Sequence, residues 1–318
     1  MKRLPSLISN LIFLIILFSC KEIHEIEHGP LCLTGIGYAK GTSVITLNLD
    51  SGLMVNSTPI AGYMPGATLY DPSTGGYGYI GWDSVFRLIN PETGVLIKSI
   101  KLPGCVLMAV IDTKDNMLIG LYTTVTYEDD PDTAGLKSMT AGPPVYTNYV
   151  IRASLSTEEV VSQKVVDIGN GVNLSCYYFN QREKKYIMLR DDMYLIAVNP
   201  STGLVEKEVY VGRHLTNAVY NPDNNTIISI PYSPESDRNY VVVTDAGTGR
   251  ELSSKMVEKE TGYSLCVSGF DPVNNWYMTE NGIHEILFYD ISTGETIKRF
   301  KPDSPLSELK LWREYTVL

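Results

Sequence analysis

Histidine is scarce in this chain. Of its four histidines, His24 and His28 fall in a polar stretch near the N-terminus, which leaves His214 and His284 as bases for catalysis. A Ser-His-Asp arrangement therefore has few available centres. No HExxH, CxxCH or phosphate loop occurs, the cysteines match no zinc spacing, and Asp129–Asp132 lacks the ligand spacing of an EF-hand. The three glycines of Gly35–Gly41 (GIGYAKG) lie in a strand-like pattern, with no helix to receive a phosphate. What the sequence does hold is aromatic rings beside charges in turn-rich segments: Trp82 with Asp83, Arg190 with Asp191 and Asp192, Arg213 with His214, Tyr232 with Glu235 and Arg238, and Tyr127 heading an acidic run. Rings that stack and acids that accept hydrogen bonds suit recognition of a sugar or a peptide. The expected ligand-binding residues are thus Trp82, Asp83, Tyr127, Arg190, Asp191, Asp192, Arg213, His214 and Tyr232. No catalytic, metal or cofactor residue is assigned. Taken singly, each of these is explained as well by solvated loop chemistry, so they matter only if the fold gathers them.

A repeated turn indicates how that could happen. The signature Asx, two residues, Ser or Thr, then Gly appears as NLDSG ending at Gly52, NPETG at Gly94, NPSTG at Gly203, DAGTG at Gly249 and DISTG at Gly294; a degenerate copy, SLSTE, ends at Glu158. The first side chain bonds the backbone ahead of it, and Gly supplies the positive φ that closes a hairpin. Short apolar runs precede these turns (Val44–Leu49, Val85–Ile89, Tyr194–Val198, Val241–Thr244, Ile286–Tyr289) and read as strands. A second turn comes earlier in each unit. Asp71, Asn180 and Asp271 lie 23 residues before Gly94, Gly203 and Gly294, Asn221 lies 28 before Gly249, and Asp112 lies 46 before Glu158. They follow Tyr70, Phe179, Phe270, Tyr220 and Ile111, each ending an apolar strand. One unit is then strand A, Asx turn, strand B, loop, strand C, Thr-Gly turn, strand D.

Four antiparallel strands in ~45 residues make the blade of a β-propeller. The expected fold is all-β, a six-bladed propeller spanning residues 31–318. A seventh blade stays open, because one signature is degenerate and Arg313–Leu318 falls outside the register. Leu306–Trp312 reads as a last A strand with no blade after it, and Leu31–Tyr38 begins the chain in a B position. Pairing of these two segments would close the ring and remove its open edge. The repeat resembles the YVTN and quinoprotein-like propeller families, and six-bladed propeller lipoproteins of Gram-negative bacteria. That resemblance implies the fold and little chemistry; the tryptophans typical of quinoprotein repeats are missing. In such a ring the D–A connections and B–C loops share one rim, which would hold all nine expected residues. The third unit exceeds the period by about 23 residues over Thr123–Asn148, either a recognition finger over the channel mouth or a decorative hairpin.

The N-terminus carries an address. Lys2 and Arg3 precede an apolar run centred on Leu11–Phe18 that is too short to span a bilayer comfortably. It ends in Leu17-Phe18-Ser19-Cys20, which resembles the lipobox of bacterial lipoproteins. That resemblance implies a signal peptide over residues 1–19, lipidation of Cys20, a tether over 20–30, and an outer-membrane location, no Asp following the Cys. Removing residues 1–19 leaves 24 basic against 36 acidic side chains, which disfavours nucleic acid and anionic lipid as general partners. Cys32, Cys105, Cys176 and Cys266 are expected as buried thiols rather than bridges. The expected function is a lipid-anchored, non-catalytic propeller binding a glycan, a peptide or an envelope protein at the channel rim. Alternatives are a propeller hydrolase, lyase or dehydrogenase with its site at the channel mouth, or an outer-membrane assembly scaffold.

Overall fold

A computed structural model describes residues 27–38, 41–127, 144–169, 171–231, 238–260, 262–303 and 305–316, and every regular element among them is a β-strand. The chain enters as β1 (Glu27–Gly37), β2 (Ser43–Asn48) and β3 (Met54–Pro59). Blade 2 follows as β4 (Thr68–Asp71), β5 (Gly76–Ile80), β6 (Val85–Ile89) and β7 (Leu96–Lys101). Blade 3 is β8 (Val106–Asp112), β9 (Met117–Tyr127), β10 (Pro144–Ser154) and β11 (Glu159–Val165). Blade 4 is β12 (Val172–Asn180), β13 (Lys185–Arg190), β14 (Tyr194–Val198) and β15 (Val205–Tyr210). Blade 5 is β16 (Val219–Asn221), β17 (Thr226–Ser229), β18 (Asn239–Asp245) and β19 (Glu251–Val257). Blade 6 is β20 (Tyr263–Asp271), β21 (Trp276–Asn281), β22 (Ile286–Asp290) and β23 (Thr296–Phe300), and β24 (Leu306–Thr316) ends the chain. The sheets are six and four-stranded, and the first has the order β24-β1-β2-β3. The fold is a six-bladed β-propeller, closed where the last strand pairs with the first.

The seam explains the residues that fell outside the sequence register. Trp312 pairs with Cys32 and the strands run on to Glu27 opposite Thr316, so Arg313–Thr316 extend the innermost strand rather than begin a seventh blade. Glu27–Pro30 belong to β1. Arg313 donates from Nε and Nη2 to the two oxygens of Asp271 (3.0 and 2.7 Å) and from Nη1 to the Gly29 carbonyl, tying blade 6 to both seam strands.

The two turn families form as their side chains dictate. Asn48, Asn90, Asn199, Asp245 and Asp290 each accept backbone N–H groups two residues ahead, and the following glycines adopt φ of 72 to 83°. Ser154 does the same work in the degenerate copy, and Glu158 takes the glycine's place at φ 59°. In four blades that glycine also allows the turn to approach the preceding blade's outer strand. A Cβ on Gly249 would lie 3.0 Å from the Tyr210 carbonyl carbon; Gly203 and Gly294 face the Val165 and Met256 carbonyls in the same way, and Gly94 faces the Thr58 side chain. The middle strands are covered on both faces by neighbouring blades, so β5 (GYGYI) is buried throughout, whereas the outermost β15 (VEKEVY) is mostly exposed. Ile187, Leu189 and Leu195 of blade 4 pack with Leu215 and Ile227 in one such interface. Each fully buried side chain of this kind contributes ~1.5–3 kcal/mol.

Odd and even blades differ. Met108 and Glu308, on the innermost strands of blades 3 and 1, and Asn217, just before that of blade 5, have positive φ (54, 54 and 49°). Their carbonyls accept the hydroxyls of Tyr186, Tyr277 and Tyr77, buried on the B strands of blades 4, 6 and 2 (2.7, 2.6 and 3.0 Å). The ring is thus three blade pairs, each locked by one tyrosine.

Candidate functional site

Among the described residues, two openings in this ring are large enough to receive a ligand. The first, a cavity of about 460 Å³, lies on the rim formed by the D–A connections and B–C loops, between blades 3 and 4. Its walls are aliphatic, from Leu107, Met108, Leu121, Ile168, Val172 and Leu174. Thr123, Tyr146 and Asn148 supply its polar edge, and among the described residues none that lines it is charged. Thr123 Oγ1 donates to Asn148 Oδ1 (2.7 Å), and the Tyr146 ring is 64% exposed. These three residues come from the long third unit. Both ends of the stretch expected there as a loop are paired strand, Pro144 opposite Tyr127 and Asn148 opposite Thr123, so strands β9 and β10 each run 11 residues.

The second opening is the central channel, about 470 Å³, lined by all six innermost strands. Tyr70, Tyr177, Phe179, Tyr220 and Phe270 give it an aromatic wall, and Lys310 is the one charged residue lining it among the described residues. Leu174 lines both spaces, so they adjoin.

The residues expected from sequence distribute unevenly around these spaces. Arg190 and Asp191 flank the rim cavity: a Cβ on Gly169 would lie 4.0 Å from Arg190 Nη1, and one on Gly171 3.4 Å from Asp191 Cγ, both glycines lining the cavity. Arg190 is nonetheless committed, donating to Asp192 and Glu208 (2.7 Å each) with its guanidinium over the Tyr194 ring. Trp82 is 68% exposed on the Gly81–Ser84 loop, its indole against Gly62. Asp83 pairs with Arg87 (2.6 Å), whose hydrogen bonds hold the carboxyl down at about 2. Arg213 pairs with Glu251 on β19 (2.6 Å), and His214 beside it is partly buried. Trp82, Asp83, Arg213 and His214 line neither cavity. Tyr127 lies in β9 with its side chain undescribed, and Tyr232 and Cys20 lie outside the described residues.

The groups available for chemistry are few. The hydroxyls of Tyr38, Tyr63 and Ser307 meet at the seam, and burial pushes the Tyr63 phenol well above its usual range, so it can donate but not act as a base near neutrality. His284 Nδ1 lies 2.9 Å from the buried Glu280 carboxylate. No group of three or more His, Cys, Asp or Glu among the described residues is placed to hold a metal ion. Cys32 and Cys176 are buried and in no disulfide, but Cys105 is exposed, contrary to expectation, because it sits in the connection before β8 rather than on a strand.

Sequence reasoning passed over the channel lining. Tyr70, Phe179, Tyr220 and Phe270 all immediately precede an Asx turn, a signal that was available but marked only where a strand stops.

No family model and no curated protein matches this chain. Solved structures do resemble it. A protein of unknown function from Bacteroides caccae aligns over 90% of this chain and 100% of its own, at TM-score 0.56 and 13% identity. A chain of a nidogen/laminin complex aligns over 89% of this chain and 98% of its own, at TM-score 0.59 and 8% identity. Likeness at such identity establishes the propeller fold alone.

Proposed function

We propose that the protein is a lipid-anchored, non-catalytic binding module of the cell envelope that captures a peptide segment of a partner at the rim cavity. The observation that carries this reading is the uncharged, aliphatic cavity beneath the β9–β10 hairpin, of a size that holds an apolar anchor side chain and its neighbours. Thr123 and Asn148 offer hydrogen bonds at its lip, while Arg190 and Asp191 edge it with charge. A glycan is the second reading, favoured by the exposed Tyr146 ring beside the Asn148 amide.

The anchor fits the same picture. β1 is a B strand, and it starts opposite Thr316, at the end of the channel where the Asx turns lie. A lipid on Cys20 would therefore hold the Asx-turn face toward the membrane and turn the rim cavity away from it. Residues 21–26 add at most ~3.4 Å each to the tether. The address is tested by lipid labelling: a radioactive fatty acid enters the wild-type protein and not Cys20→Ser. Binding is tested with the chain from Lys21 onward, which contains all six blades, against displayed peptides and a glycan array. A selected ligand should lose about tenfold or more in affinity with Tyr146→Ala or Asn148→Ala, about 1.4 kcal/mol or more, and be indifferent to Trp82→Ala. A ligand insensitive to both rim substitutions would remove the cavity from the account.

A further inference from the structure

Lys310 is set apart in the channel wall by its charge. It stands two residues before Trp312 on β24, and the residues two before the Asx turns on the other five innermost strands are Leu69, Val110, Tyr178, Val219 and Gly269. The channel is otherwise walled by aliphatic and aromatic side chains and neutral polar groups. Among the described residues Lys310 has neither an ion pair nor a side-chain hydrogen bond. The carboxylates that open the Asx turns at the same end of the ring are committed elsewhere: Asp71 to Ser73 and Thr74, Asp112 to Lys184, and Asp271 to Arg313. The partly buried ammonium group stands among apolar side chains and receives no counter-charge from them among the described residues.

A second polar atom there is also unanswered. Gln181 lines the channel; its Nε2 donates to the Ile111 carbonyl and Thr113 Oγ1 (3.3 and 3.2 Å), while its Oε1 is buried with no partner. A buried acceptor left without a donor costs ~1–3 kcal/mol, so such groups either hold water or await a ligand. The channel thus presents one cation, one open acceptor and flat aromatic walls around a space of about 470 Å³.

We propose that the central channel is a second binding site, separate from the rim cavity, for a small organic monoanion with a flat apolar body: the anionic group meets Lys310, the body lies against Phe179, Tyr220 and Phe270, and a hydrogen-bond donor reaches Gln181. This stands whether or not the rim cavity binds a peptide. The probe is 8-anilinonaphthalene-1-sulfonate, a flat aromatic monoanion whose fluorescence rises in apolar surroundings, with neutral N-phenyl-1-naphthylamine as its uncharged counterpart.

Titrated into the chain from Lys21 onward, the sulfonate should bind saturably at one site. Lys310→Met should weaken it at least tenfold and Lys310→Arg should largely preserve it, while the neutral probe binds both variants as it binds the parent. The thermal midpoint of Lys310→Met should be no lower than the parent's, since methionine suits the apolar ring. Absence of saturable binding, an unchanged affinity in Lys310→Met, or equal loss of both probes would each overturn the proposal. Sensitivity to Tyr146→Ala but not to Lys310→Met would place the probe in the rim cavity, overturning the channel site and leaving the rim reading intact.

Discussion

Replacing Gly249 by alanine tests how the blades are held against one another. At this turn φ is 73°, and a β-carbon would stand 3.0 Å from the Tyr210 carbonyl carbon and closer still to its oxygen. Two costs follow. An L-residue in the left-handed region loses ~1–2 kcal/mol, partly offset by the smaller entropy of the unfolded alanine chain. Forcing a methyl against the backbone of a paired strand adds ~1–3 kcal/mol, because β15 is fixed by its own ladder and cannot retreat freely. Gly52 separates the two: its φ is 72°, and nothing lies within 4 Å of its would-be β-carbon. Gly52→Ala should therefore cost about 1 kcal/mol, and Gly249→Ala about 2–4 kcal/mol, the excess being the inter-blade contact. Equilibrium urea unfolding of the two variants gives the difference directly, and a thermal scan should separate their midpoints by several degrees, at ~2 °C per kcal/mol. Equal losses would mean that the turns need glycine only for its dihedral, and the close-approach argument would fail at all four blades.

Glu158→Gly, at the degenerate turn, should raise stability by ~0.5 kcal/mol in the same assay, since glycine relieves the positive φ and only a long hydrogen bond to the Ser99 N–H is lost. Tyr77→Phe, Tyr186→Phe and Tyr277→Phe should each destabilise by ~1–2 kcal/mol, because a buried carbonyl loses its donor; a zero effect in all three would deny the blade-pair lock. Arg313→Ala should cost ~3–5 kcal/mol by leaving the buried Asp271 unpaired, and adding Asp271→Asn should recover part of it. Thiol labelling at pH 8, read residue by residue by mass spectrometry, should modify exposed Cys105 and spare Cys32 and Cys176. Burial pushes the Cys176 thiol up to about 12, so its reactive thiolate is only ~1 part in 10,000 at that pH. Labelling of Cys176 ahead of Cys105 would contradict the burial assignment.

The architecture was legible because it is written in local chemistry. An Asx side chain bonds the backbone two residues on, and a glycine admits positive φ, whatever the rest of the chain does. Hence Val85–Ile89 and Tyr194–Val198 match β6 and β14 to the residue, and the Leu306–Trp312 segment closes the ring with β1. The 23-residue spacing shared by the units of Asp71, Asn180 and Asp271 even marks the three even blades, the ones carrying the locking tyrosines. Loop charges were less informative. Asp83, Arg190 and Arg213 read as a gathered rim, yet each is taken up by a neighbour within its own sector, Arg87, Glu208 and Glu251. Charged side chains on turns find the nearest opposite charge, and pairwise neutralisation leaves no trace in sequence spacing.

The lining of the channel was hidden for a different reason. Along a regular strand, alternate residues face one side, so counting back from each Asx turn ought to find the wall. Met108 and Glu308 interrupt that alternation by turning left-handed inside the innermost strands of blades 3 and 1, Asn217 does so just before that of blade 5, and the ladder of β8 slips between Leu107 and Val110, on either side of Met108. The residues one and two before the turn nevertheless line the channel in all six blades, so consecutive rather than alternate residues make the wall. The break is not a defect of the strand: it turns a carbonyl toward the next blade's tyrosine and, through Glu308, a carboxylate toward the Gly66 N–H and Thr68 hydroxyl of blade 2. Lys310 lies in the wall as the residue two before the turn does in every other blade, and its charge alone sets it apart from Leu69, Val110, Tyr178, Val219 and Gly269.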